Sequence, residues 1–515
     1  MKQLLRILSI FIFSTIYLHS YSQDVQQKVN AFRKANETKI IEEYIKFVSI
    51  PNVTRDTPNI LLNAAFIKNM MEQRGIKTEF LTGTTPNVSP AVFGEVKVPG
   101  AKTTLAFYAH YDGQPVNASR WTGGLKPFDP VFIDKPIEQG GKIIENPKGI
   151  LPDPIPIGWR LTGRGSADDK AGVMTIINAY DALIKSGIPL KHNLKFFFEG
   201  EEELGSMHLD EIFIKNKEKL LADLWIISDG PRHVSGKKMV VYGVRGDVNM
   251  HLTVYGPKRP LHSGNYGNWA PNPARILVEL LAGMKDEKGN VAIKGYYDDV
   301  VPLSASEKEA IAKVPNIEET LKKELGIAEP EGAGKSFLEL LHLPTLNING
   351  IKSADVGELA ANIIPTKAEA TLDLRLVLGN KVETQIGHVI RHIQSKGFYV
   401  LDREPTDEER LKYPKLIKIT HGDGYIAQRT SFDIPIVQSL LKAVQLTVNY
   451  PVIQFPTAGG SLPLFLFEKI LGATLISVPV VNYDNNQHAE NENVQISYLW
   501  EGIETMAVIM VMEHK

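Results

Sequence analysis

The sequence predicts an α/β protein built from an α/β/α sandwich, with a smaller α+β domain inserted in its middle. Strand-like and helical segments alternate through the first half, as is typical of βαβ units. Beyond position 245 the strand-like segments instead alternate apolar and polar residues, as in a sheet with one solvated face. The 515 residues also exceed the roughly 250 to 300 that one core can organise, so two domains are expected.

Four apolar segments in the first part of the chain are suited to buried strands of the sandwich. A helical pattern over residues 24–48 precedes them, and helices are predicted at 171–185 and 210–220. The runs TLAFY, LKFFF and LWIIS are apolar almost without a break, as expected for parallel strands covered on both faces. The four predicted strands are AVFGEVKV, TLAFYAH, LKFFFEG and DLWIISD.

The insert is predicted from two alternating strands and two helical segments. VNMHLTVYG and AEATLDLRLVLG alternate in character, and helical patterns cover 272–285 and 381–396. The polar stretch 286–345 is assigned to the same insert. A helix near 433–447, the strand ATLISVPVV and a helix at 497–512 then resume the sandwich pattern. The predicted division is 1–22, 23–245, 246–428 and 429–515, with the sandwich split between the second and fourth segments.

The first 22 residues resemble a secretory signal. Lys2 and Arg6 precede the apolar stretch 7–18, and cleavage is expected near Ser22-Gln23. The alternative is an uncleaved anchor, but an apolar run of about a dozen residues is short for a membrane span. We therefore expect an exported protein, periplasmic or secreted, without stable membrane insertion.

Net charge and cysteine content limit which partners and which metal ligands the protein can have. The formal net charge of -2, with 43% hydrophobic and 23% charged residues, is ordinary for a globular protein and gives no reason to expect nucleic acid. The chain has no cysteine, so it can form no disulfide and any metal must be held by nitrogen and oxygen ligands.

Five polar clusters, each after an apolar run, carry residue types that bind metal ions. Carboxyl ends of parallel strands meet at one rim of a sheet, where open α/β folds place their active sites. Histidine and carboxylate side chains gathered there predict a two-metal centre. The clusters are His110 with Asp112, Asp168 with Asp169, Glu202 with Glu203, Asp229, and His488.

Each cluster also has a structural interpretation when it is taken alone. A single histidine at a strand end is more often only hydrogen-bonded than a ligand, and Asp168-Asp169 would suit a helix start. The run EGEEE would ordinarily be a solvated acidic turn. Agreement among five clusters favours the metal interpretation, whereas Glu490 and Glu492, beyond His488, are expected to be bystanders.

The clusters in this order resemble metallopeptidase family M20, and specifically its carnosine dipeptidase-like branch. The resemblance covers roughly residues 30–510 and rests on FYAHYDGQP, LTGRGSADDKAG, FEGEEELGS, ISDG and LHSGNYG. It implies a di-zinc exopeptidase-like catalytic sandwich, with the insert acting as a dimerisation or lid domain. Gly230 is a departure, since relatives often carry asparagine there, but it is not at a ligand position.

The resemblance also assigns roles to individual residues. Asp168 would bridge two divalent cations with support from Asp169, Glu202 would be the general base, and Asp112 would orient His110. His110 and Asp229 would hold one cation, and Glu203 and His488 the other. Zn²⁺ fits this ligand set best, with Mn²⁺ or Co²⁺ as alternatives. The implied metal ligands are His110, Asp168, Glu203, Asp229 and His488.

Substrate-binding residues are implied in the insert and in the loop TAGGSLP. Arginine grips a carboxylate through two parallel hydrogen bonds, and a histidine can stabilise an oxyanion. In the family the histidine commonly reaches in from the second subunit of a homodimer. The implied residues are His262, Asn362, Arg375, Gly460 and Ser461.

The sequence therefore predicts an exported, metal-dependent exopeptidase that hydrolyses dipeptides or short peptides with a free C-terminal carboxylate. An N-acyl-amino-acid deacylase or amidase is the alternative, because it would use the same centre with a different pocket. A binding protein that has lost catalysis is disfavoured by the intact Glu202 and ligand set.

Overall fold

The computed structural model describes residues 2–145, 150–332, 334–460 and 462–514, with side chains described from residue 24 onward. The predicted signal peptide, 1–22, has no described side chains, and Ser461 lies outside the described residues. Among the described residues, no helix combines the length and apolarity needed to span a bilayer. The elements up to position 245 are α1 Lys2–Ser49, α2 Thr57–Gln73, β1 Lys77–Leu81, β2 Ala91–Val96, β3 Thr104–His110, β4 Phe132–Ile133, β5 Arg160–Thr162, α3 Lys170–Lys185, β6 Asn193–Glu199, α4 Leu209–Leu220, β7 Leu224–Ile227, β8 Met239–Val241 and β9 Gly243–Val244.

The middle of the chain contains the second sheet and most of the shorter helices. Its elements are β10 Gly246–Tyr255, β11 Leu261–His262, α5 Ser263–Tyr266, α6 Pro273–Ala282, α7 Ala305–Ala312, α8 Glu318–Leu325, α9 Phe337–Leu341, β12 Thr345–Lys352, β13 Ile363–Ile364, β14 Lys367–Leu376, α10 Val382–Ser395, β15 Tyr399–Leu401, α11 Asp407–Lys412 and β16 Leu416–His421. The last part contains β17 Gln428–Arg429, α12 Pro435–Leu446, β18 Ile453–Phe455, a π-helical turn Phe467–Leu471, β19 Leu475–Ser477, β20 Asn493–Gln495 and α13 Ile496–Met510.

The larger sheet of the described chain has eight strands in the order β1-β2-β6-β3-β7-β19-β8-β18. Strands β6, β3, β7 and β19 are parallel neighbours, as their continuous apolar runs predicted. Strand β2 runs antiparallel to both β6 and β1, so β2 is reversed relative to the centre and the edge strand β1 again runs in the central direction. The predicted strands and helices of both halves of the sandwich are confirmed.

Helices cover both faces of this sheet. Side chains of β3 that point one way, such as Phe107, pack with α1, α2, α3, α12 and α13 in one apolar core. Their neighbours, such as Tyr108, face α4 and the turn around Phe467 in a second core. This alternation along a strand produces the α/β/α sandwich that the sequence predicted.

The smaller sheet has the described strands in the order β12-β14-β10-β16-β15, antiparallel except for β15 with β16. Helices α6 and α10 pack on one face, where Leu372 and Leu374 are buried. Intervening residues of β14 are partly exposed, which confirms the predicted open face. The segment around α7 contacts the α/β/α sandwich. Ala310 is buried in the main core of the sandwich, and Glu307 forms an ion pair with Arg429 at 3.0 Å.

Candidate metal centre

Three of the predicted clusters meet because their strands are parallel neighbours. His110 ends β3 and stands opposite Glu199 at the end of β6, so the turn that carries Glu202 begins beside it. Asp229 follows β7, on the other side of β3. The three chain segments therefore leave the sheet at one edge.

Asp168 lies at the centre of the cluster, between two histidines. Its Oδ1 is 3.0 Å from Nε2 of His110, and its Oδ2 is 3.0 Å from Nε2 of His488. Burial alone would raise the pKa of Asp168, but the hydrogen bonds with these histidines hold it below its usual range. A carboxylate with one oxygen toward each histidine has the arrangement needed to bridge two cations.

The remaining predicted ligands divide between the two histidines. Asp229 Oδ2 lies 3.9 Å from Nε2 of His110, whereas Glu203 Oε2 lies 3.3 Å from Nε2 of His488. Asp229 thus lies beside His110 and Glu203 beside His488, although ligand atoms of His110, Asp168 and Glu203 also lie within 4.8 Å of one another.

Asp112 connects the histidine to the glutamate turn. Its Oδ1 is 3.4 Å from Nδ1 of His110, where it can orient the imidazole. The same carboxylate accepts the backbone N–H groups of Glu202 at 3.1 Å and Glu203 at 3.0 Å, and the hydroxyl of Thr54 at 2.9 Å. Asp112 therefore positions the turn as well as the ring, which the sequence did not predict.

Glu202 is a partly buried carboxylate that lies close to the other acidic side chains of the cluster. Its Oε2 lies 3.8 Å from Nε2 of His110. Burial raises the pKa of Glu202 well above its usual range, as do the charges of Asp229 and Glu203, while His110 opposes the change. Burial likewise raises the pKa of Asp229 to about 7.

The donor set fits divalent cations. Ligand atoms of His110, Asp168 and Glu203 all lie within 4.8 Å of one another. Carboxylates at such separations repel unless positive charge compensates them; burial first, and then the neighbouring carboxylates, raise the pKa values of Glu202 and Asp229. Nitrogen and carboxylate ligands without sulfur are typical of zinc and of other borderline cations.

A carboxylate oxygen of Asp169 also lies within 4.8 Å of ligand atoms of His110 and Asp229. Both oxygens of Asp169, however, already accept hydrogen bonds from backbone N–H groups. One accepts the backbone N–H of His110 at 3.2 Å, and the other accepts the N–H of Gly172 at 3.1 Å as the N-cap of α3. These bonds suit a supporting residue, so Asp168 is the better candidate bridge.

The expectation that Glu492 is a bystander is wrong. The side chain is fully buried and forms an ion pair with Arg164 at 2.7 Å. Its carboxylate also accepts the backbone N–H groups of Gly165, Ala167 and Asp168 at 2.9 to 3.0 Å. No local pattern distinguishes it from Glu490, which is only partly buried; the one available signal was its proximity in sequence to His488.

Some of the predicted substrate-binding residues share a large cavity with the centre. The cavity has a volume of about 1330 Å³ and is lined by Asp168 and Glu202 as well as by Arg375 and Gly460. The guanidinium of Arg375 lies 3.2 Å from Asp373 and 3.8 Å from Asp247. Arg375 is thereby held at the cavity wall while remaining one-third exposed.

His262 and Asn362 are placed differently. They lie on the ribbon formed by β11 and β13, where the carbonyl of Asn362 accepts the N–H of Ser263 at 2.9 Å. Both residues are exposed, and neither is among the described residues that line the cavity. The structure of one chain therefore brings the two together but not to the metal cluster.

Comparison with known proteins identifies the family of this chain. Residues 106–511 match the sequence profile described as Peptidase family M20/M25/M40. The Cys-Gly metallodipeptidase DUG1 of Candida albicans is 29% identical over 490 residues, which cover 91% of this chain and 93% of the relative. The human Beta-Ala-His dipeptidase is 25% identical over 436 residues, covering 83% and 78%.

Solved structures resemble the whole fold. A crystal structure of the M20 family metallo-carboxypeptidase Sso-CP2 from Sulfolobus solfataricus superposes with a TM-score of 0.74 at 28% identity, covering 92% of this chain and 98% of that one. The dipeptidase Dug1p of Saccharomyces cerevisiae superposes with a TM-score of 0.72 at 25% identity, covering 96% and 98%.

Proposed function

This chain belongs to peptidase family M20/M25/M40, and from that premise we propose that it is an exported dipeptidase acting on short peptides with a free C-terminal carboxylate. It is an enzyme of the metal-dependent hydrolase class, as are the metallodipeptidases that it resembles. The observation that carries the substrate proposal is the shared cavity, in which Arg375 faces the same space as Asp168 and Glu202.

Two divalent cations, which we propose to be Zn²⁺, would be held by His110 with Asp229 and by His488 with Glu203, with Asp168 between them. When bound, such cations polarise a carbonyl group and make a water molecule more acidic. Their positive charge would also lower the pKa values that burial raises at Glu202 and Asp229.

Glu202 is proposed to move the proton during hydrolysis. It is adjacent in sequence to a ligand but is not needed as one, so it can accept a proton from water and deliver it to the leaving amine. Asp112 fixes the backbone of Glu202 through the 3.1 Å hydrogen bond to its N–H. The direction of the Glu202 side chain therefore depends on a buried carboxylate that does not itself react.

The substrate would be oriented by its charged end. The guanidinium of Arg375 would bind the terminal carboxylate beside Gly460, since an arginine fork matches a carboxylate. A substrate without that charge would lose this anchor, which favours an exopeptidase over an endopeptidase.

His262 is proposed to complete the site of a second subunit in a homodimer, because it is exposed and lies away from the cavity of its own chain. Light scattering should give the mass of a dimer at micromolar concentration. Mixed dimers of Glu202→Gln and His262→Ala chains should regain activity, since one of their two sites then contains both residues. If a verified mixture of the two variants regains no activity, His262 does not act in the partner's site.

Export is proposed from the N-terminal sequence alone. Expression of the full chain should yield a mature protein that begins near Gln23, found outside the cytoplasm. N-terminal sequencing and cell fractionation test this independently of activity.

Substrate class is tested with metal-reconstituted protein on three panels: dipeptides, tripeptides and N-acyl amino acids. We expect the highest kcat/KM on dipeptides. Hydrolysis of N-acyl amino acids alone would replace the dipeptidase proposal with deacylase activity, while leaving the metal-dependent hydrolase assignment unchanged.

A further inference from the structure

One wall of the catalytic cavity comes from α8, α9 and the residue that precedes α8. Ile317, Leu321 and Leu325 recur every four residues, so they share one helical face, and all three line the cavity. The charged pair Lys322 and Glu319, 2.8 Å apart, lies on another face of the same helix. The apolar side of the helix therefore faces the cavity, together with Glu318, whose carboxylate accepts the backbone N–H of Phe337 at 2.8 Å.

The wall leaves large apolar side chains in contact with solvent. Leu325 is 62% exposed and Phe337, at the start of α9, is 43% exposed, and both line the cavity. Exposed apolar surface concentrated at a catalytic cavity is typical of a ligand-binding surface. Because both side chains line the cavity, a molecule bound there could cover part of their exposed surface.

The cavity lining continues from this wall toward the predicted site residues on two sides. On one side, a β-carbon on Gly459 would come within 3.3 Å of Leu341 in α9, and Gly459 adjoins the proposed carboxylate-binding residue Gly460. On the other side, Tyr483 lines the same cavity and belongs to the loop that leads to His488. The wall therefore shares one cavity with both parts of the site.

The cavity is also larger than a small dipeptide requires. Its volume of about 1330 Å³ exceeds the roughly 300 to 1,000 Å³ typical of small-molecule sites. Glycylglycine would leave the wall hydrated, whereas a large apolar side chain would remove water from it and gain the hydrophobic free energy of that contact.

We propose that this apolar wall, Ile317, Leu321, Leu325 and Phe337, receives a side chain of the substrate and makes the enzyme selective for peptides with a large apolar residue. The proposal rests on the proposed peptidase function and specifies its substrate class. It is a specificity role, distinct from the chemistry at Asp168 and Glu202.

The test compares kcat/KM for Gly-X and X-Gly dipeptides, with X as glycine, alanine, leucine or phenylalanine. Leucine or phenylalanine should exceed glycine by about 10- to 100-fold in one of the two series. Leu321→Asn and Leu325→Asn should each reduce that ratio by at least about threefold, because they place a polar group on the wall. The matched control is Leu411→Asn, at a side chain that is 91% exposed on α11, and it should leave the ratio unchanged.

Equal kcat/KM across both series, or a ratio unaffected by both wall variants, would overturn the proposal. If no dipeptide is cleaved, the peptidase proposal fails and the wall is tested by binding. Dissociation constants of Gly-Phe, Phe-Gly and glycylglycine are then measured on the metal-loaded protein by calorimetry. The proposed role of the wall is supported if a phenylalanine peptide binds more tightly than glycylglycine and Leu325→Asn weakens that binding. Equal affinities for the three peptides would reject it.

Discussion

The carboxylate of Glu492 accepts the backbone N–H of Asp168 at 3.0 Å, across 324 positions of sequence. The bond links the end of the loop after His488 to the residue that lies between the two histidines. Because Glu492 also pairs with the buried Arg164, it fixes the backbone of the candidate bridging ligand without being one of the predicted metal ligands.

Glu492→Gln should therefore weaken metal retention and lower stability. Removing one partner of a buried ion pair costs about 3 to 5 kcal/mol, and loss of a group that supports a ligand lowers metal affinity by about 10- to 100-fold. Metal content after graded dialysis against a chelator and thermal unfolding of the holoenzyme measure the two effects. Glu490→Gln is the control, and similar behaviour of the two variants would contradict this role.

Glu202→Gln should retain both metal ions and lose turnover. The amide cannot accept the proton, so kcat should fall by about 10²- to 10⁴-fold while the ligand atoms stay in place. Metal analysis alongside steady-state kinetics checks both parts. Activity within about tenfold of the unmodified enzyme would exclude Glu202 as the base.

Asp168→Ala should lose both metal ions, because its two oxygens face different histidines. His110→Ala and His488→Ala should each lose one ion preferentially, since each removes a ligand from one side only. The measurement is metal per chain after gel filtration. Two ions retained by Asp168→Ala would show that this residue does not bridge.

Arg375→Ala should raise KM for free dipeptides far more than for dipeptide amides. A charged hydrogen bond contributes about 1.5 to 3 kcal/mol, or roughly 10- to 150-fold in binding. Kinetics on paired free and amidated substrates separate this effect from a general loss. Arg403→Ala, at an exposed ion pair with Glu409, should change neither KM; equal losses with both substrates for Arg375→Ala would reject the carboxylate contact.

Lys238→Met should stabilise the protein at neutral pH and less so at alkaline pH. Burial lowers the pKa of Lys238 to about 8 from 10.5, so folding is penalised below pH 8 and the penalty disappears as pH rises toward 10.5. The difference corresponds to roughly 3 kcal/mol. Melting temperatures at pH 7 and pH 10 should show the stabilisation by Lys238→Met shrinking, and an equal stabilisation at both pH values would contradict this expectation.

The sequence by itself determined the α/β sandwich and the alternating strands of the smaller sheet, and it predicted which histidines and carboxylates meet at one edge of the larger sheet. Buried parallel strands need continuous apolar runs, and the chain leaves the sheet directly after them, so His110, Glu203 and Asp229 could be placed at one rim from local pattern alone. The open face of the smaller sheet was predicted from the alternation of apolar and polar residues in β14, because successive side chains of a strand point to opposite faces.

Only the tertiary structure decided which polar and apolar residues support that rim. Glu492 and Glu490 look alike in sequence, and it is the packing of Arg164 against one of them that separates a buried anchor from a surface acid. The apolar face of α8 would be assigned to a core by its periodicity, yet the fold turns it toward the cavity. Local sequence encodes periodicity and ligand chemistry, whereas contacts between distant segments depend on how the whole chain packs.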